Sequence, residues 1–347
     1  MNSKKKYIFS VIFFVILLLL TFYLLFKNND ISVVISSLKN ISYEYVILGA
    51  ILVLGYLFTE SIYIKLILKS LNQKIHLWQG FVYSCIEFYF SAITPSSTGG
   101  QPAQAYYMHK HSIPFTKSSI TLLLNTITFK LVLLIMGLVG IVFYPNLIFN
   151  NSVLFTIFFV FGVIVNILVI IVCLMLMYSK KWIKSITTFF INLGYKLKII
   201  KNKEQKIDSF YEHLAEYQQS AKYIKENLGL SIKVCLITFI QRLFMFSIAY
   251  VVYKSFGLND YSYIQMVVIQ IAVAIAIDSL PLPGGIGASE AMLILIYNKV
   301  FGVSQALPAM LVTRGLSYYL CLIISGTVVL LNHIQVTFIN KKITEEK

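Results

Sequence analysis

Seven ionisable residues of this 347-residue chain fall within apolar stretches: Glu60, Glu87, Lys130, Arg242, Asp278, Glu290 and Arg314. An ionised side chain at mid-bilayer depth costs about 2.5–3.5 kcal/mol on insertion scales, so each needs a partner or a wet cavity. Arg314 offers a planar, permanently charged fork that suits phosphate oxygens, and Lys130 a compact ammonium. On one reading, Arg314 and Lys130 grip a lipid phosphate while Asp278, Glu290 or Glu87 meets a cationic or hydroxylated headgroup. On the other, the charges pair internally, Arg314 with Glu290 or Asp278 and Lys130 with Glu87, and hold the helices together. Both stay open for any single residue; the clustering favours a cavity.

Two interruptions bring backbone chemistry to the same depth. Residues 277–291 read Ile-Asp-Ser-Leu-Pro-Leu-Pro-Gly-Gly-Ile-Gly-Ala-Ser-Glu-Ala. Pro281 and Pro283 lack the N–H a helix requires, and Gly284, Gly285 and Gly287 are conformationally loose, so a helix stops there. The upstream counterpart is Thr94-Pro95-Ser96-Ser97-Thr98-Gly99-Gly100-Gln101-Pro102. Broken backbone inside a membrane is tolerated only where protein or a water-filled cavity covers it, and paired interruptions in the two halves point to a transporter's central site. The half-helices that restart after Gly100 and Gly285 would offer N–H groups to an anion. Ser96, Ser97, Thr98 and Ser289 could donate to phosphate or merely satisfy backbone carbonyls. Gln101 and Gln104 follow the first break. Pro-Gly-Gly-Ile-Gly is no Walker loop, since no Lys-Ser/Thr follows it.

The elements that must carry these groups follow from composition. Hydrophobic residues make up 58% of the chain and charged ones only 12%, about half the share of a soluble domain. Several apolar runs exceed the roughly 18 residues a spanning helix needs. An all-α polytopic membrane protein is expected. Spanning helices are read at residues 7–26, 43–68, 116–144, 153–178, 231–254 and 305–332, with shorter segments at 78–93, 102–111, 263–280 and 288–300. Lys4, Lys5 and Lys6 before the first run resemble a signal peptide, but the run is too long and lacks a small-residue cleavage site, so an uncleaved helix is expected. The four cysteines, Cys85, Cys173, Cys235 and Cys321, have no metal-ligand spacing and read as packing residues. His109 and His111, two apart, would point away from each other on a helix.

Net charge is +15, with the lysines beside apolar runs, which suits anionic headgroups rather than nucleic acid. Lys4–Lys6, Lys69, Lys74, His109, Lys110, Lys117, Lys341 and Lys342 read as cytoplasmic, as does the lysine-rich stretch 179–229; residues 144–152, uncharged, read as external. Lys74 and Lys110 on one side force residues 78–111 to enter and return, and the same logic makes 263–300 a hairpin from the opposite face. About six spanning helices plus two re-entrant hairpins result. Residue 43 lies 52 positions before Pro95, and residue 231 lies 50 before Pro281; Lys130 lies 30 after Gly100, and Arg314 29 after Gly285. An inverted repeat is expected. The chain then divides into a first half, 1–178, broken at 94–102; a basic connector, 179–229; a second half, 230–334, broken at 280–287; and a tail, 335–347. Within the connector, Phe210, Tyr211, Leu214 and Tyr217 have the spacing of an amphipathic helix on the inner leaflet, against a plain solvated linker.

At the two breaks the chain resembles the flippase-like membrane domain of bacterial lysylphosphatidylglycerol synthetases and its stand-alone relatives. The resemblance rests on Thr94-Pro-x-x-x-Gly-Gly100, on Pro281-x-Pro-Gly-Gly-x-Gly-x-x-Glu290, and on Ala306, Arg314, Tyr318 and Gly326. It implies a single domain in the cytoplasmic membrane, both termini inside, that moves an aminoacylated or otherwise modified phospholipid between leaflets without a cofactor. Relatives commonly carry an acidic and then a basic residue where this chain has Gln101 and Gln104, which removes a charged contact at the first break and leaves the substrate open. The chain ends about 15 residues after the last apolar run, so the soluble transferase domain of full-length synthetases is not expected in it. A homo-oligomer and a separate synthase partner are compatible with this reading. The rivals are an intramembrane lipid-modifying transferase, with Asp278 or Glu290 as general base, and an ion or small-solute transporter.

Overall fold

Hydrocarbon offers backbone groups no hydrogen-bond partners, so an apolar run must satisfy its own N–H and C=O groups as a helix. The computed structural model describes residues 42–94, 97–149, 152–196, 202–278, 280 and 287–345, and among these the regular elements are helices without any strand. The chain is an all-α polytopic membrane protein. Five stretches are long and apolar enough to cross a bilayer: α1 (Tyr43–Ser70), α4 (Phe115–Phe143), α6 (Val153–Tyr178), α9 (Leu228–Ser255) and a composite last helix, Val303–Asn332. The sixth expected span, residues 7–26, lies outside the described residues.

The composite helix has three parts: α12 (Val303–Arg314), a π-helical turn (Gly315–Leu320) and α13 (Cys321–Glu345). It continues past residue 332, where the apolar pattern ends. Single π turns inside a helix often sit at functional positions; this one follows Arg314 directly.

Between the spans lie α2 (Leu77–Ile93) and α3 (Gly100–Lys110), then α10 (Tyr263–Ile277) and α11 (Ala288–Val300). At 1.5 Å per residue the longer arms, α2 and α10, reach only about 25 and 22 Å, short of the ~30 Å hydrocarbon core. Each pair folds back on itself. Tyr83 Oη, near the start of α2, lies 2.8 Å from Nδ1 of His111 just past α3. In the second pair, Tyr261 and Phe301 both pack on the Tyr253 ring, with centroids 6.0 and 5.5 Å away, and Gln270 Nε2 donates to Tyr297 Oη across the arms at 2.9 Å.

Packing partners recur between the halves. α1 packs on α2 as α9 packs on α10; α2 lies against α13 as α10 lies against α4; and α1 and α9 form the most extensive helix–helix contact. A buried core surrounds each hairpin, one rich in Met266–Ala276 and Tyr297, the other in Tyr83, Ile86 and Met108. The outward faces of α6, from Leu154 to Val172, are apolar and exposed, as a lipid-facing surface requires. One contact is unusually close: a Cβ placed on Gly162 of α6 would sit 1.9 Å from the carbonyl oxygen of Ile275 on α10.

The connector between the halves is helical. α5 (Pro145–Phe149) forms one short turn at the far end of α4, while α7 (Lys180–Lys196) and α8 (Lys203–Glu226) follow α6. α8 is held at the start of α4 and the end of α6: Lys117 pairs with Glu216 at 4.0 Å, and Tyr217 Oη donates to the Leu176 carbonyl at 2.9 Å. Of the four residues that suggested an amphipathic helix, Leu214 and Tyr217 are buried against the bundle; the side chains of Phe210 and Tyr211 lie outside the description.

Candidate functional site

The second break is held at both ends by ion pairs. Asp278 caps the C-terminus of α10, and its carboxylate binds Lys130 Nζ of α4. Glu290 lies in the first turn of α11, where a helix N-terminus favours a carboxylate. One oxygen of Glu290 receives Arg314 Nε at 2.7 Å; the other receives the Gly287 N–H at 2.7 Å and Ser289 Oγ at 2.9 Å. Gly287 has φ +86°, which only glycine adopts without strain. Pro281, Pro283, Gly284 and Gly285 lie outside the described residues, so the tip between the two anchors is left aside.

Internal pairing therefore occurs, with one partner changed. Lys130 binds Asp278 rather than the Glu87 expected on that reading, because α10 packs on α4 and brings its C-terminus to Lys130. The two pairs differ in access. Arg314 and Glu290 side chains keep 10% and 3% of their surface, whereas Lys130 and Asp278 keep 15% and 25%. The first pair is sealed and the second is reachable.

At the first break the backbone is closed by neutral groups. Thr94 Oγ1 donates to the Phe90 carbonyl at 2.6 Å and accepts the Gly99 N–H at 2.8 Å. Ser91 Oγ lies 3.0 Å from Glu87 Oε1 and 3.3 Å from the Ser97 carbonyl. A Cβ on Gly100 would fall 2.1 Å from Ser91 Oγ and 2.6 Å from the Glu87 carbonyl, so glycine is needed for α3 to start this close to α2. Pro95 and Ser96 are outside the described residues, and Thr98 is exposed. Gln101 Nε2 binds Thr126 Oγ1 on α4, whereas Gln104 is wholly buried and donates to the Tyr83 carbonyl at 3.2 Å. At each break a backbone N–H, that of Gly99 or that of Gly287, is taken by a side chain.

The two breaks are linked. Tyr318, in the π turn, donates its hydroxyl to the Ala92 carbonyl at the end of α2 at 3.1 Å, and its ring centroid lies 4.2 Å from the Arg314 guanidinium carbon. Tyr318→Phe keeps the ring and removes the bond. A loss of about 1 kcal/mol is expected, read as a lower thermal unfolding midpoint in detergent with Arg314→Lys as the comparison; an unchanged midpoint would make this tie energetically silent.

Beside the first break lies a cavity of about 1120 Å³, walled by α3, the start of α4, the end of α6, α7 and α8. Its lining mixes apolar side chains such as Leu122, Leu176 and Ile183 with the polar Gln101, His109 and Glu216. His109 faces this space while His111 turns to Tyr83, as their spacing predicts. Partial burial holds the His111 imidazole below the usual histidine value. The connector's part in this wall was not foreseen. Its signal was present in Ile183 and Thr187, one turn apart on α7, and in Leu214 and Tyr217 on α8. Among the described residues no group of three His, Cys, Asp or Glu is arranged to hold a metal, and the four cysteines are unpaired thiols.

A family model described as "Lysylphosphatidylglycerol synthase TM region" matches residues 7–325. No curated protein and no solved structure matches the chain.

Proposed function

This chain belongs to the lysylphosphatidylglycerol synthase TM-region family, and from that premise we propose that it carries a modified or anionic phospholipid between leaflets, headgroup inside the protein and acyl chains in hydrocarbon. The observation that carries this reading is the cavity beside the first break. Its apolar walls and few polar groups match an amphiphile, and its volume is somewhat larger than small-molecule sites usually offer.

The hairpins α2–α3 and α10–α11 would enter the membrane from opposite faces. Support comes from their short arms, their returning ends and the recurring packing of the two halves. The lysine-rich α7 and α8, seated at the Lys117 end of α4, would then face the cytoplasm and its anionic headgroups. A headgroup entering there passes His109 and Glu216 before it reaches Gln101. Deeper in, the reachable Lys130–Asp278 pair is the one a phosphate can open, Lys130 exchanging a carboxylate for phosphate oxygens. The sealed Arg314–Glu290 pair holds the second break in place and shapes its surroundings.

The test is a leaflet-exposure assay with fluorescent phosphatidylglycerol in vesicles containing the purified protein. Ser119→Trp fills the cavity from α4 and is expected to slow translocation about tenfold, the factor that ~1.4 kcal/mol of lost binding gives. Wild-type rates in a variant that unfolds normally would sink the cavity as the lipid's route.

A further inference from the structure

A second group of buried polar residues lies along α1, which packs against both α9 and α2, apart from both ion pairs. Glu60 of α1 and Gln241 and Arg242 of α9 keep 2%, 1% and 6% of their surface. Gln241 Nε2 donates to Glu60 Oε2 at 3.2 Å. Arg242 lies with its guanidinium carbon 3.3 Å from the Phe129 ring centroid. Nε and Nη2 of Arg242 and Oε1 of Gln241 have no hydrogen-bond partner among the described residues. Glu87 of α2 completes the group: its charge acts on Glu60, and Arg242 acts on both carboxyls.

Charge counting decides what such a group takes up. Two carboxylates and one guanidinium leave one excess negative charge in surroundings of low polarity, where an uncompensated charge is costly. A metal cation would cancel it, but the guanidinium that acts on both carboxyls repels a second full cation. A proton adds directly to a carboxyl oxygen and needs no coordination shell. We propose that Glu60 and Glu87, with Arg242 nearby, form a proton-binding site that couples proton movement to the first break.

The coupling runs through Ser91. Its single hydroxyl proton has two acceptors within reach, Glu87 Oε1 at 3.0 Å and the Ser97 carbonyl at 3.3 Å. With Glu87 ionised, the hydroxyl donates to the carboxylate. When a proton binds Glu87 Oε1, that oxygen becomes a weaker acceptor and the hydroxyl turns to Ser97, in the break itself, where φ is +53°. The other titratable or charged groups facing the pair are Tyr56 and Tyr63 of α1, Cys85 of α2, Cys321 of α13 and Lys130 of α4, and Lys130 is already neutralised by Asp278.

The site does not depend on the identity of the cargo, so its test contains none. Infrared difference spectra of the purified full chain, in phosphatidylglycerol–phosphatidylethanolamine vesicles, compare neutral with alkaline pH in choline and in sodium buffer. The wild type is expected to show one protonated-carboxyl band that disappears on alkalinisation, unchanged by sodium, and absent from both Glu60→Gln and Glu87→Gln. No titrating band in the wild type, its persistence in either variant, or its removal by sodium at neutral pH would overturn the proposal. Because no lipid movement is measured, such a failure would leave the lipid reading to the leaflet assay.

Discussion

Arg314→Ala is expected to destabilise the protein by about 3–5 kcal/mol, the cost of leaving a buried charge without its partner. The unpaired charge would be that of Glu290, which keeps 3% of its side-chain surface and already holds the Gly287 N–H and Ser289 Oγ. Removing the arginine also strips the Tyr318 ring of its stacked guanidinium. Equilibrium or thermal unfolding in detergent reads the loss. The double variant Arg314→Met, Glu290→Met is expected to recover much of it, because replacing both members of a buried pair with apolar groups is often close to neutral; the α11 cap it sacrifices accounts for about 1 kcal/mol of the remainder. A single variant as stable as wild type would show that this pair is not what secures the second break. If it folds and still moves fluorescent phosphatidylglycerol at the normal rate, Arg314 has no part in headgroup handling either.

Gly162→Ala is expected to cost about 3 kcal/mol, the upper end of the overpacking range. The added methyl would meet the Ile275 carbonyl oxygen at 1.9 Å, and a main-chain group cannot rotate aside as a side chain can. α6 and α10 must separate. Ile275 precedes Asp278 by one turn, so the shift also pulls on the Lys130–Asp278 pair. Gly315→Ala is the control: its Cβ would meet nothing within 4 Å, and alanine is the better helix former, so no loss of stability is expected there. Equal melting behaviour of the two variants would show that the α6–α10 approach relaxes without cost.

Much of the helix pattern was readable because a long apolar run in a membrane has one outcome. α6 and α11 begin and end where the runs do, and α4 and α10 differ from expectation by a few residues at their ends. The helices missed were those whose apolar residues are interleaved with polar ones instead of forming a long run. α7 begins with two lysines and reads as a polar loop, yet Ile183 and Thr187 fall on one side and line a cavity formed only when α3, α4 and α8 arrive. The chemistry-bearing residues were legible as a set, since charge inside an apolar run is conspicuous. Their partners were legible only in part: Glu290 was one of two partners offered for Arg314, and it is the one found. Lys130 lies 148 residues from Asp278, and no local rule selects it over Glu87; helix packing does. Gln104 follows the first break closely, like Gln101, but turns inward to the Tyr83 carbonyl, a direction set by how α3 leans on α2.

The hydroxyl of Tyr318 bears on how many shapes the molecule can take. Two arms free to swing separately would give four arrangements, including one open to both aqueous phases at once. A shared fastening of ~1 kcal/mol weights the joint arrangements over the split ones by about fivefold. If the arms do swing, leakage through a doubly open form is suppressed by one oxygen atom held against the end of α2.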